Sequence, residues 1–142
     1  MVPYPNSPQS PYFHECVKWL LENQFPDGSW CFFHSYPLVI KDTLSSTLAC
    51  VLALKRWNIG NNYIKKGINF IVSNLPSSTG EKKHVPIGFD IVFPGMIEYA
   101  REMGLILPLI PTIADALFHR RNLEFKMSYF FISLLFILSS FS

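Results

Sequence analysis

The sequence predicts an all-helical fold. Three observations carry that reading: apolar residues recur at spacings of three and four along most of the chain, Pro and Gly punctuate the stretches between, and no run alternates with period two across several strands. The unit implied is a set of helical hairpins stacked in sequence order.

Residues 1–11 hold four prolines among Asn, Ser and Gln, so they read as an extended lead-in; proline fixes φ and removes a backbone donor. Over 12–23, Phe13, Val17, Leu20 and Leu21 share one face, with His14, Glu15, Lys18 and Glu22 largely elsewhere, which predicts an amphipathic helix. Pro26, Asp27 and Gly28 then favour a chain reversal, and residues 31–40 are aromatic and irregular with no regular element assigned.

Asp42 is the expected N-cap of a helix reaching about Trp57, because its carboxylate can accept from the free amides of a first turn. Leu44, Leu48, Val51 and Leu52 form its stripe, and Cys50, Leu54 and Trp57 widen it. Ser45, Ser46, Lys55 and Arg56 are left for solvent or caps, and such a broad stripe predicts packing on more than one side. A turn around Gly60 leads to a helix over 63–73 with Ile64, Ile68, Ile71 and Val72 on one face, completing a hairpin. Residues 74–88 read as a solvated loop, its Lys82 and Lys83 as exposed charges. Pro94 suits the start of the next helix and Gly104 its stop, and a shorter helix over 112–121 follows Pro108 and Pro111. Trp19, Leu48, Leu52 and Phe70 are expected to be buried, and Trp30 to pack near Gln24.

Composition narrows the function classes. The chain is 49% hydrophobic and 15% charged, against roughly 25% charged in an average soluble domain, so much of its surface is suited to burial. Twelve basic against ten acidic residues give a net charge of +2, with no clustered basic face of the kind nucleic acid needs. Cys16, Cys31 and Cys50 are odd in number and form no CxxC pair, which reads as reduced thiols. Cys31, His34 and His14 lack the paired spacing of a zinc site and read as core or loop residues. The first residues have neither a secretory signal pattern nor the Arg/Ser-rich character of a transit peptide.

Gln24, Gly28 and Trp30 in QFPDGSW form a Q-x3-G-x-W pattern that resembles the QW motif of terpene cyclases. SSTLACVLALKRWNIG (45–60), KKGINFIVSN (65–74) and PIGFDIVFPGMIEYAREMGL (86–105) follow in the order found in plant diterpene synthases. The lead-in, WLLENQ and IKDTLSSTLACVLALKRW are most similar to ent-kaurene synthases, and less so to copalyl diphosphate synthases. The likeness covers roughly residues 1–126.

The resemblance implies an incomplete α/α-barrel of the β/γ type, with Gln24, Gly28 and Trp30 as structural residues that stiffen a junction between helices. It implies a carbon–oxygen lyase family in which Mg²⁺ is held on the DDxxD and a further motif of an α domain. The related class II chemistry uses a DxDD acid on the β domain. Asp27, Asp42, Asp90 and Asp115 stand isolated, so no catalytic, cofactor or metal residue carries over, and this chain alone is expected to be inactive and to hold no cofactor of its own. Remaining synthase domains or an intact synthase are the expected partners. Full-length relatives are expected in the plastid; without a visible transit peptide, the chain itself reads as cytoplasmic or of open location. The likeness also places Met1 inside the family sequence, and Cys31 stands where a glycine commonly follows the tryptophan.

Residues 127–142 depart from the family. Nine of the ten residues over 129–138 are apolar or aromatic, whereas a spanning helix wants about 20. Three readings stand: read-through of non-coding sequence in a truncated gene model, a hydrophobic helix packing on the domain, and a membrane tail preceded by Arg120, Arg121 and Lys126. The alternative to a synthase segment is therefore a non-enzymatic helical interaction protein or tail-anchored adaptor.

Overall fold

A computed structural model describes residues 3–4, 7–11, 14–31, 40–78 and 88–140. Five helices account for nearly all of them: α1 (His14–Glu22), α2 (Ile40–Arg56), α3 (Asn61–Ser78), α4 (Phe89–Glu102) and α5 (Pro111–Ser140). Within the Pro-rich lead-in, β1 (Pro3–Tyr4) and β2 (Ser7–Pro11) pair as a short antiparallel ribbon. His34, Lys82 and Lys83 lie outside the described residues.

The core is built around α2. Leu44, Leu48, Val51, Leu52 and Leu54 are buried, and the burial runs round more than one side of the helix, as its wide apolar stripe predicts. α3 packs along α2 as the second arm of a hairpin, burying Ile64, Phe70, Ile71 and Leu75, while α4 adds Phe89, Phe93, Ile97 and Ala100. α1 contributes Val17 and Leu20. The α2–α3 turn passes through Asn58 at φ 53°, a left-handed position that asparagine tolerates just past a helix end.

Five expectations need correction. α2 begins at Ile40, so Asp42 sits within the first turn and not at the cap, where its charge still complements the helix dipole. α3 runs on to Ser78 through Pro76, because fully buried Leu75 extends the stripe of Ile64, Ile68 and Ile71 by one more turn; the loop reading of 74–78 is wrong, and 79–87 lie outside the described residues. α4 starts at Phe89, with Pro94 inside it. A mid-helix proline costs about 3 kcal/mol, but the helix buries Phe89 and Phe93 before it, stacked 4.9 Å apart between ring centroids, and Ile97 and Ala100 after it. Each of the larger side chains contributes about 1.5–3 kcal/mol. α5 does not end near Arg121: residues 112–140 contain no Gly or Pro to stop it, and it continues into the divergent tail as one helix. Trp19 is 42% exposed, because α1 buries only a narrow stripe and position 19 lies on the far side from Val17 and Leu20. Leu48, Leu52 and Phe70 are buried as expected. Among the described residues, no helix is long and apolar enough to cross a membrane.

Candidate functional site

The residues that the QW-like pattern singles out meet where α1 ends. After α1 the backbone reverses over PDG: the Gly28 amide donates to the Phe25 carbonyl and the Phe25 amide to the Ser29 carbonyl, both at 2.9 Å. Asp27 tightens the turn, its Oδ1 accepting from the Ser29 amide at 2.9 Å and the Ser29 hydroxyl at 2.7 Å. The side-chain amide of Gln24 donates to the Gly28 carbonyl and to the Tyr63 carbonyl, each at 2.9 Å, so one side chain spans the turn and the first turn of α3.

Gly28 has φ 93°, and a Cβ there would stand 2.4 Å from the carbonyl oxygen of Lys66. Only glycine permits both the conformation and the approach of the turn to the α3 backbone.

Trp30, 1% exposed, locks the other side. Its indole Nε1 donates to the Leu20 carbonyl of α1 at 2.8 Å, and its amide to Thr47 Oγ1 of α2 at 3.1 Å. Its own carbonyl accepts from the Ser46 hydroxyl at 2.7 Å. The ring lies against α3 at Gly67, where a Cβ would come within 2.5 Å of Val51 Cγ2 and 3.1 Å of Trp30 Cζ3. The turn is thus tied to three helices by buried or part-buried hydrogen bonds, and the arrangement can fix helix positions.

Sequence reasoning missed Thr47, Ser46, Gly67 and the Tyr63 carbonyl. The block KKGINF that contains Gly67 carried the only available signal, a glycine in mid-helix.

Lys41 was also missed. It is 3% exposed, with its ammonium 5.5 Å from the centroid of the Phe89 ring. Arg121 of α5 pairs with Glu98 of α4 and lies 5.4 Å over the Phe125 ring, joining the last two helices. Burial pushes the Cys50 thiol up to about 11.

Among the described residues the four aspartates stand apart on separate elements. Asp27 spends an oxygen on Ser29, and Asp42, Asp90 and Asp115 are carried by α2, α4 and α5 respectively. Among the described residues, no three His, Cys, Asp or Glu side chains gather to hold a metal. Among the described residues, a shallow recess of about 420 Å³ is lined by Asn62, Tyr63, Lys65 and Lys66, and a cleft of about 130 Å³ lies between α4 and α5.

No family model matches the chain. Individual proteins do. It is 55% identical over 126 residues to ent-kaurene synthase-like 1 of Ricinus communis, covering 89% of this chain and 17% of that protein. It is 53% identical over 126 residues to the chloroplastic ent-kaur-16-ene synthase of Cucurbita maxima, covering 89% and 16%. The fold superposes on abietadiene synthase from Abies grandis with a TM-score of 0.78 at 33% identity, over 89% of this chain and 16% of that one. The chain is homologous to one segment of the ent-kaurene synthase-like plant diterpene synthases. It also superposes on ent-copalyl diphosphate synthase from Arabidopsis thaliana, with a TM-score of 0.75 and 32% identity. The chain therefore spans about one-sixth of the length of the curated diterpene synthases it matches.

Proposed function

We propose that the chain supplies a scaffold portion, of the β/γ type, to a class I diterpene synthase resembling ent-kaurene synthase. The reaction of the whole enzyme would convert ent-copalyl diphosphate to ent-kaurene on the route to gibberellins, in the plastid. Heterolysis of an allylic C–O bond leaves a carbocation and a diphosphate anion, and a site for it must neutralise that anion away from water. The four aspartates here are separated on different elements, so the reacting centre is assigned to the parts of the synthase outside this segment. Cys16, Cys31 and Cys50 form no disulfide with one another, and among the described residues they join no group of three candidate metal ligands.

One observation carries the reading. At 49% identity over 132 residues the chain also matches a protein named ent-trachylobane synthase from Ricinus communis, nearly as well as it matches those named for ent-kaurene. A segment shared at this level by synthases named for different products is common framework, with product choice made elsewhere. The junction at Gln24, Gly28 and Trp30, bound to α1, α2 and α3, suits that role.

The test has two arms. The purified chain, given ent-copalyl diphosphate and magnesium, yields no diterpene by gas chromatography above a boiled-protein blank. A chimaera of the Cucurbita maxima synthase, with its matching 126 residues replaced by those of this chain, forms the same product as its parent. Magnesium-dependent product from the chain alone, or a folded chimaera without activity, refutes the proposal.

A further inference from the structure

We infer that the part of α5 beyond Arg121 is a lipid-contacting helix, which enters an anionic bilayer surface without crossing it. The inference is independent of the scaffold reading above and adds a membrane surface to what the chain contacts.

From Asn122 to Phe130 every side chain of α5 is exposed, and Ile132 and Ser133 are exposed as well. Nine exposed residues in succession make more than two turns at about 3.6 residues each. A helix lying on a core buries a residue every three or four positions, as α2 and α4 do. This stretch stands clear of the described core.

Its apolar side chains fall into two stripes. Leu123, Met127 and Phe130 follow one another at i, i+4 and i+7, and Phe125, Tyr129 and Ile132 repeat that spacing. At about 100° per residue the second stripe lies on the far side of the helix from the first. A coiled-coil mate or a protein groove covers one stripe and leaves the other in water. Hydrocarbon covers both, because lipid chains surround a helix on every side.

Charge and length set the depth. No charged side chain occurs over 127–142, whereas Arg120, Arg121 and Lys126 outnumber Glu124 just before it, even with Arg121 paired to Glu98. Exposed Lys126 can reach phosphate headgroups while its stem lies along apolar chains. From Met127 to Ser140 the helix runs for fourteen residues, about 21 Å at a rise of about 1.5 Å each, against a hydrocarbon core of about 30 Å. It is long enough to fill one leaflet and too short for two. Residues 127–142 also lie past the blocks that resemble the synthases, so the resemblance supplies no helix to cover them.

Flotation tests this. The full chain is made by cell-free synthesis with vesicles of phosphatidylcholine and phosphatidylserine in equal parts, then layered under a density gradient, so that bound protein rises and aggregate sinks. The chain should rise with the lipid. Met127→Asp with Phe130→Asp strikes one stripe, and Tyr129→Asp with Ile132→Asp the other. Each pair should lower the lipid-bound fraction at least about tenfold, because its carboxylates must enter hydrocarbon. Trp19→Asp, on the exposed side of α1, should rise like the parent. All four tail positions are already exposed, so maleimide labelling of buried Cys50 should stay slow in both pairs. The inference is overturned if the parent sinks, if only one pair matters, or if Trp19→Asp loses as much binding. Faster Cys50 labelling in either pair would also overturn it, by placing the stretch on the core. A lipid-free oligomer that ignores the vesicles and is broken by either pair would do the same, and would make a second copy the occupant. None of these outcomes bears on the scaffold reading, which the chimaera tests separately.

Discussion

Substituting Gly28 by alanine should be among the most damaging single-atom additions to this chain. The residue sits at φ 93°, and the new Cβ would lie 2.4 Å from the Lys66 carbonyl oxygen and 2.7 Å from its carbon. A left-handed conformation costs an L-residue about 1–2 kcal/mol. The clash is with helix backbone, which cannot rotate aside as a side chain would, and overpacking of this kind costs about 1–3 kcal/mol. Together these give about 2–5 kcal/mol, against a total stability of about 5–15 kcal/mol for a domain. The two bonds of Gln24, to the Gly28 and Tyr63 carbonyls, stretch with the same displacement and are not counted separately. Gly95→Ala is the internal control. It lies within α4 with no atom within 4 Å of a built Cβ, so alanine should stabilise by up to about 1 kcal/mol through helix propensity. Pulse proteolysis across a urea series, at protein concentrations too low for aggregation, reads the midpoints. With a slope of about 1–3 kcal/mol per molar urea, Gly28→Ala should move the midpoint down by at least about 0.7 M, and Gly95→Ala should leave it level or raised. A Gly28→Ala midpoint within about 0.3 M of the parent, or an equal loss from Gly95→Ala, would refute the steric argument.

Other outcomes follow from the same contacts. Trp30→Phe keeps most of the apolar volume but strands the buried Leu20 carbonyl, and Thr47→Val strands the Trp30 amide; each should cost about 1–3 kcal/mol in the same assay. Glu98→Gln should cost no more than about 1 kcal/mol, since its pair with Arg121 is 46% exposed on the carboxylate side and screened by solvent. Cys50 ionises near 11 in the folded chain against 9.0 for a free thiol. The unfolded state therefore loses this proton first, and the stability that Cys50 contributes is whole below pH 9 and lost as pH rises towards 11; Cys50→Ala should flatten that alkaline decline in a pH series of urea midpoints. At pH 8 a maleimide should label exposed Cys16 well before buried Cys50, and equal rates in the folded chain would contradict the described burial. At high concentration the intact chain should be poorly soluble, improving on deletion of residues 127–142, and a monodisperse monomer there would count against the exposure of Ile106, Ile110, Met127, Tyr129 and Phe130.

The local pattern was enough to establish the helices themselves. Spacing of Leu44, Leu48, Val51 and Leu52 locates α2, and Ile64, Ile68 and Ile71 locate α3, because period 3.6 is imposed by backbone geometry on any helix that buries one side. The Asp27–Gly28 turn and the α4 stop before Gly104 were equally local, since both rest on what a single residue's φ allows. The ordered blocks over residues 1–126 likewise identified the family that the homologues bear out.

What needed the tertiary structure was every outcome in which distant burial outweighs a local preference. Pro76 and Pro94 lie inside helices because Leu75, Phe89 and Phe93 gain more from the core than the prolines lose. Trp19 is exposed although it is large and aromatic, since the direction of a helix face is set by its neighbours and not by its composition. The junction was only half legible for the same reason. Gln24, Gly28 and Trp30 announce themselves within seven residues, but the Tyr63 carbonyl, Thr47 and Gly67 lie 17 to 39 positions away from their partners or on another helix. Carbonyl acceptors leave no trace in residue identity, and a mid-helix glycine reveals its purpose only once a tryptophan ring is found lying against it.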